Sequence, residues 1–289
     1  MGSVDSRFLH VNGVRLHVSD FGGDGPPLIM LHSTGFGQWM WQPMVAGLSR
    51  RFHLYAPEQR GHGDSDKSED GYDFETLARD MDGVLDSLGL AEVHAMGHSS
   101  GGTTLAVHAA LFPGRIRRLL LVEPILPRPG AQRPSDAGGQ REQTANPIAE
   151  RARRRRATFE SPEAMFESFR DRSPFDTWPE KTLRLYCTEG TTPGEAGVTL
   201  KCPPDHEARF YDAVSRFDVA PVLQRLRLPV RFLWGETGNR RMMGAAEGPE
   251  SLVPGAETKV IAGASHFLPM EKPDLVVSEA LEFFREDRG

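Results

Sequence analysis

The pentapeptide Gly97-His98-Ser99-Ser100-Gly101 constrains this chain more than any other stretch. It lies between the apolar run Val93-His94-Ala95-Met96 and a small-residue segment, 100–112, that Pro113 stops. A serine at the centre of G-x-S-x-G, entered from a strand and left into a helix, occupies a sharp turn that exposes its hydroxyl. Glycines two residues before and two after it let the strand and helix backbones approach with no Cβ between them. Gly102 extends the small-residue patch. The strand-to-helix setting separates this motif from a chance match and makes Ser99 the candidate nucleophile. Ser100 is off the centre of the motif and is expected to contribute its backbone N–H, with its side chain pointing elsewhere. His98 is expected to be a packed structural histidine.

The rest of the chain is read outward from that turn. Segments 8–11 and 14–18 flank Asn12-Gly13, a pair that tolerates the positive φ of a tight hairpin. Leu28-Ile29-Met30-Leu31, after Pro26-Pro27, suits a strand covered on both faces, and 32–37 must then be a loop. Segment 52–56 is another short strand. Phe74, Leu77, Met81, Val84, Leu85 and Leu88 keep helical spacing up to Gly89, and 118–122 returns to a strand. The alternation resumes only at 230–234, 258–261 and a last helix at 273–284. Strands alternating with helices predict an α/β fold with a mainly parallel sheet. Between Pro124 and about Ala220 the alternation disappears into a Pro-, Gly- and Arg-rich stretch with helical pieces near 147–159, 162–170, 180–187 and 205–214. The expected organisation is a core formed by 1–124 and 221–289, with a helical cap, 125–220, inserted over the carboxyl edge of the sheet, where open α/β sheets bind ligands.

Composition narrows the function classes. With 289 residues, 38% hydrophobic and 26% charged, the chain has ample length for one large core plus an insertion. A net charge of -6 argues against a nucleic-acid or anionic-lipid partner, both of which need a dominant basic surface. The run from Arg151 to Arg156 reads as the solvated face of a helix. Cys187 and Cys202 are the two cysteines, too few for a disulfide framework and without zinc-site spacing, so a reducing cytoplasm is expected. No apolar stretch approaches the length of a membrane span, and residues 1–7 lack the pattern of an export signal. The expected partner is a small-molecule substrate. Nothing in the sequence speaks to oligomeric state.

Four segments in this order, Leu31-His32, Gln59-Arg60-Gly61-His62-Gly63-Asp64-Ser65, Gly97 to Gly102 and Gly263-Ala264-Ser265-His266-Phe267, resemble the α/β-hydrolase fold enzymes that carry a cap. The likeness runs over nearly the whole length. It implies a Ser, acid, His relay without metal or cofactor, with Ser99 as nucleophile and His266 as its general base. Of the ten histidines, His266 alone follows the last strand. The resemblance also implies an oxyanion hole made by the backbone N–H groups of Ser100 and Thr34. Family members usually have His-Gly in the latter loop, whereas this chain has His32-Ser33. Trp39, Trp41, Phe166 and Phe210 are expected to line the substrate pocket, Met40 lying between the two tryptophans.

The acid departs from the commonest pattern. Family members often carry Gly-x-x-Asp just past the strand that here ends in Trp234, but this chain has Gly235-Glu236-Thr237-Gly238. Some members place the acid at the end of the preceding strand, where this chain has Glu123 in Leu121-Val122-Glu123-Pro124. A carboxylate on an otherwise apolar strand needs a partner, because burying it alone is very unfavourable. Glu123 is the expected acid and Glu236 the alternative, with Glu58 read as a loop brace. The implied activity is hydrolysis of a carboxylic ester or lactone through an acyl-enzyme. The same fold and relay also support carbon-carbon bond hydrolysis of a diketone, or a non-catalytic small-molecule receptor. Ser99 argues against the epoxide hydrolase and dehalogenase relatives, which use an aspartate nucleophile.

Overall fold

The computed structural model describes residues 4–126, 146–242 and 248–285. The first half runs β1 (Asp5–Val11), β2 (Val14–Gly22), β3 (Pro27–Leu31), α1 (Gln42–Leu48), β4 (His53–Pro57), α2 (Phe74–Ser87), β5 (Val93–His98), α3 (Ser100–Leu111) and β6 (Ile116–Val122). An intervening segment follows with α4 (Pro147–Arg153), β7 (Thr158–Phe159), α5 (Pro162–Phe169), α6 (Glu180–Glu189), β8 (Thr191–Gly194), β9 (Gly197–Leu200) and α7 (Pro204–Val214). The chain ends with α8 (Ala220–Leu223), β10 (Val230–Gly235), α9 (Asn239–Met242), β11 (Glu257–Ile261), α10 (Leu268–Glu271) and α11 (Pro273–Phe283).

Eight strands form one sheet in the order β1-β2-β4-β3-β5-β6-β10-β11. The β1–β2 hairpin and the β2–β4 pair are antiparallel, and every pair from β4 to β11 is parallel. The hairpin turns on Asn12 and Gly13, both at positive φ as the sequence requires. Successive residues of the central strands feed opposite faces. Leu28, Met30, Met96, Leu120 and Val122 join one apolar core, and Ile29, Leu31, Ala95, Leu119 and Leu121 join the other. This two-sided burial is why these strands read as continuous apolar runs.

Helix α2 starts at Asp73, whose carboxylate accepts the Thr76 N–H at 2.9 Å, and is followed by Gly89 at φ +70. It buries Phe74, Leu77, Met81, Val84 and Leu85, each contributing roughly 1.5–3 kcal/mol when fully covered. The helical pieces expected in the intervening segment are present, but the segment is not wholly helical. Strands β7, β9 and β8 form a separate three-stranded antiparallel sheet. Helix α4 stops at Arg153, short of the expected 159, because Thr158 and Phe159 pair with Thr199 and Val198. That pairing joins residues about forty apart. The expected cap residues 127–145 lie outside the described residues.

The loops at the carboxyl edge are tied down by buried charge. Arg60 clamps Asp80 of α2 through two hydrogen bonds of 2.7 and 2.8 Å. Glu58 is fully enclosed and accepts the Gln38 N–H at 3.0 Å, the Asp64 N–H at 2.8 Å and a bond from His17 Nδ1 at 3.0 Å. Burial alone raises a carboxyl's pKa, but the His17 partner and the Asp64 amide outweigh it and hold Glu58 at about 2. It is thus the loop brace its sequence position suggests. A carboxyl held below its usual 4.5 lends stability that is complete above that pH and is lost as pH falls toward 2. Urea midpoints should therefore drop more steeply between those pH values in the wild type than in Glu58→Gln. Parallel slopes for the two proteins would refute the brace.

Candidate active site

The site residues come from the carboxyl ends of neighbouring parallel strands. Thr34 follows β3, Ser99 follows β5, Glu123 follows β6, Gly235 closes β10 and His266 follows β11. Sheet order thus gathers residues that are far apart in sequence. Ser99 has φ 53 and ψ -119, a strained conformation for a residue with a side chain. It is held by its own N–H to the Val122 carbonyl at 2.9 Å, and its carbonyl accepts the Thr103 N–H at 3.2 Å. A Cβ on Gly101 would collide with the carbonyl oxygens of Leu31 and His32, and one on Gly97 with the start of α3. The glycines of the motif therefore let the helix seat against β3 and β5.

Glu123 is also at positive φ, 47°, and fully buried. Its Oε2 lies 3.2 Å from His266 Nδ1 and accepts the Asn239 N–H at 2.7 Å, while Oε1 accepts the Gly235 N–H at 2.5 Å. Glu236 turns away: its carboxylate accepts the Gly263 N–H at 2.9 Å on the exposed side of the loop. A Cβ on Gly238 would fall inside the Glu123 carboxylate. The missing side chain at Gly238 and the acid at Glu123 are two halves of one arrangement, since the glutamate fills the space a residue 238 side chain would enter.

His98 packs beside His266, with ring centroids 5.0 Å apart, and its Nε2 donates to the His266 carbonyl at 2.8 Å. Burial, reinforced by His266 itself, holds the His98 pKa well below the ordinary range, so it is neutral and serves as a structural donor. The His266 ring keeps partial exposure, with 27% of its side chain accessible. Among the described residues the Ser99 hydroxyl has no hydrogen-bond partner, and the His266 ring is joined to Glu123 alone.

The loop after β3 is set from behind. His32 Nε2 accepts the Gln59 N–H at 3.0 Å, and Gln59 Nε2 donates to the His32 carbonyl at 2.9 Å. The Gln59 to Ser65 signature is therefore a brace for this loop. Thr34 does not leave its N–H free: both that group, at 2.8 Å, and its hydroxyl, at 2.9 Å, donate to Ser100 Oγ. The Ser100 side chain thus points at Thr34 and not away from the site.

Of the expected pocket residues, Trp39 alone stands in the aromatic group beside His266. It stacks on Tyr186 at 5.1 Å and meets Phe36 at 5.7 Å. Phe36 and Trp178 approach Phe267, which follows His266, at 6.2 and 5.6 Å. Trp41 is fully buried in the core. Phe166 is covered by Arg184 at 4.0 Å and Arg170 at 5.7 Å. Phe210 packs on Phe74 at 6.0 Å in a separate cluster that fastens α7 to α2. Phe36, Trp178, Tyr186 and Phe267 were not among the residues expected to line a pocket. The last was flagged by its place in the Gly263 to Phe267 segment, but the others meet only through the fold.

Among the described residues, His17, Glu58 and Asp64 form a group with ligand atoms within 4.8 Å of one another. Both Glu58 oxygens already carry protein donors and Asp64 is paired with Lys201 at 2.8 Å, so protein contacts close the group.

The Glu123 and Gly238 pair makes a sharp test. Glu123→Gln should lower kcat by about three to four orders of magnitude, the scale seen when a serine protease loses the corresponding carboxylate. Glu236→Gln should stay within a few-fold of wild type. Gly238→Ala should cost at least about tenfold by displacing Glu123. An aspartate at 238 needs the space vacated, so Gly238→Asp should restore activity to Glu123→Gly, whose glycine suits the positive φ, and not to Glu123→Gln. Equal rates for Glu123→Gln and wild type would remove Glu123 from the site.

The α/β hydrolase fold family model matches residues 26–273. A 2-(acetamidomethylene)succinate hydrolase of Mesorhizobium japonicum is 24% identical over 280 residues, covering 96% of this chain and 94% of the relative. A soluble epoxide hydrolase of Corynebacterium sp. is 25% identical, covering 95% of each chain. The crystal structure of an E-2-(acetamidomethylene)succinate hydrolase superposes with a TM-score of 0.78 at 24% identity, over 97% of this chain and 99% of the other. With that match, this sheet order and the strained serine after β5, the chain belongs to the α/β-hydrolase fold family.

Proposed function

We propose that this chain is a serine hydrolase that cleaves a carboxylic ester or lactone. The observation that carries the reading is Glu123 Oε2 at 3.2 Å from His266 Nδ1, on strands beside the strained turn that presents Ser99. Serine is a weak nucleophile until a base takes its proton. In the proposed cycle His266 accepts that proton as Ser99 attacks the carbonyl, and Glu123 holds the imidazole tautomer and stabilises the imidazolium. Backbone N–H groups at the start of α3 face the developing oxyanion. His266 then protonates the leaving alcohol, and water, activated by the same base, clears the acyl-enzyme.

Phe36 and Phe267, partly exposed beside His266, offer an apolar aromatic wall to the substrate, backed by the buried Trp39, Trp178 and Tyr186. Trp178 and Tyr186 come from the intervening segment, which supports its role as a cap that sets specificity and excludes water. The Arg155 guanidinium beside Gly35 pairs with Glu207 at 2.8 Å, so that cation is satisfied within the protein and we assign no substrate carboxylate to it. A serine nucleophile also separates this chain from the epoxide hydrolase it resembles. No helix among the described residues is long and apolar enough to cross a membrane. Cys187 and Cys202 are free buried thiols, in keeping with a reducing compartment.

Treatment with a fluorophosphonate probe followed by peptide mass spectrometry should place one adduct on Ser99. Ser99→Ala should be unlabelled, and His266→Ala labelled far more slowly. Chromogenic esters of rising acyl length, run beside lactones, should show turnover that Trp178→Ala redistributes among chain lengths. A wild-type protein that takes no label and turns over neither class would overturn the hydrolase reading in favour of a receptor on the same fold.

A further inference from the structure

Ser100 carries a second hydroxyl beside the nucleophile that the proposed cycle leaves unused. It is the first residue of α3 and has no solvent exposure. Its Oγ accepts the Thr34 N–H at 2.8 Å and the Thr34 hydroxyl at 2.9 Å. A serine hydroxyl has two acceptor positions and one proton to give. Thr34 fills both acceptor positions, and among the described residues no protein group accepts the proton. Ser100 Oγ is thus satisfied as an acceptor, with its proton left over one residue from Ser99.

The same contact removes the Thr34 N–H from the role that family likeness assigns to it, because that N–H is directed onto Ser100 Oγ. We propose that the Ser100 hydroxyl is itself an oxyanion donor, acting with the Ser100 backbone N–H while Thr34 polarises it from behind. Two hydrogen bonds arriving at an oxygen strengthen the one its proton makes. A preorganised donor in a water-excluded site stabilises charge that appears only as the tetrahedral intermediate forms. The Ser33 departure from the usual His-Gly pattern lies one residue before Thr34, in the loop that supplies both polarising bonds. In this chain the side chain of Ser100 takes over a task that a backbone N–H of that loop performs elsewhere. The inference rests on Ser99 being the nucleophile.

The test compares wild type, Ser100→Ala and Thr34→Val in ester turnover, in inhibition by phenylboronic acid and in labelling of Ser99 by a fluorophosphonate. Phenylboronic acid forms a tetrahedral anionic adduct on the nucleophile and so reports the oxyanion site. Ser100→Ala should lose about tenfold to a hundredfold in kcat with KM nearly unchanged, and boronate affinity should fall by a similar factor. Thr34→Val keeps the backbone donor and removes one polarising bond, so it should lose a few-fold in both quantities. If Ser100 merely covered the Thr34 N–H, Ser100→Ala would uncover that donor, and kcat and boronate affinity would hold or rise; that result overturns the proposal. If Ser100→Ala fails to fold, unchanged kcat and boronate affinity in Thr34→Val overturn it instead. Absence of a Ser99 adduct in the wild type would show that the hydrolase reading itself has failed, a result separable from either of the others.

Discussion

A carboxylate with no access to water must be met by donors on every side, and the Glu123 carboxylate organises this site around that requirement. The Gly235 and Asn239 amides and the His266 ring all converge on it. Those partners come from the ends of β10 and β11 and the turn after β10, so the packing of the last third of the chain against β6 is coupled to a single charged group. The cost of leaving such a charge unpaired, several kcal/mol, makes the arrangement close to all-or-none. Gly238 is part of it because a side chain there would occupy the volume the carboxylate needs.

The Ser99 turn obeys a similar logic with backbone in place of charge. Seating α3 against the end of β3 demands glycine at 101, and the close approach puts Ser100 within reach of Thr34. The loop that carries Thr34 is held in turn by His32 and Gln59, and the next loop by Glu58 and the Arg60–Asp80 pair. His32, His62 and His98 are all kept below their ordinary pKa chiefly by burial, so the polar framework around the site is made of neutral imidazoles. Such groups hold geometry without adding charge beside His266.

The aromatic surroundings of His266 have a different source. The aromatic group at the site is assembled from both the core and the intervening segment, with Tyr186 stacked on Trp39 and Trp178 against Phe267. Phe210, by contrast, fastens α7 to α2 and is anchored between Phe74 and His62. One segment therefore contributes residues of two kinds, some that pack beside the loop of His266 and others that attach the segment to the core. Variation at the first kind can reshape the surroundings of His266 while the attachment of the segment stays constant, and such local variation is how one fold carries many reactions.

The amino-acid sequence by itself determined the elements whose cause is local. Strand runs, the Asn12-Gly13 turn, the α2 periodicity and the Ser99 turn all follow from neighbours a few residues apart, and His266 was legible from its place after the last strand. Tertiary structure decided what depends on residues that meet across the sheet. It placed Glu123 rather than Glu236 against His266, because β6 and β10 are adjacent although their ends are 112 residues apart. It also formed the β7-β9-β8 sheet, drew Phe36, Trp178 and Tyr186 to the site in place of Phe166 and Phe210, and turned the Ser100 hydroxyl toward Thr34. A one-dimensional pattern records which face of an element is apolar, whereas the partner that covers that face is set by packing the whole chain at once.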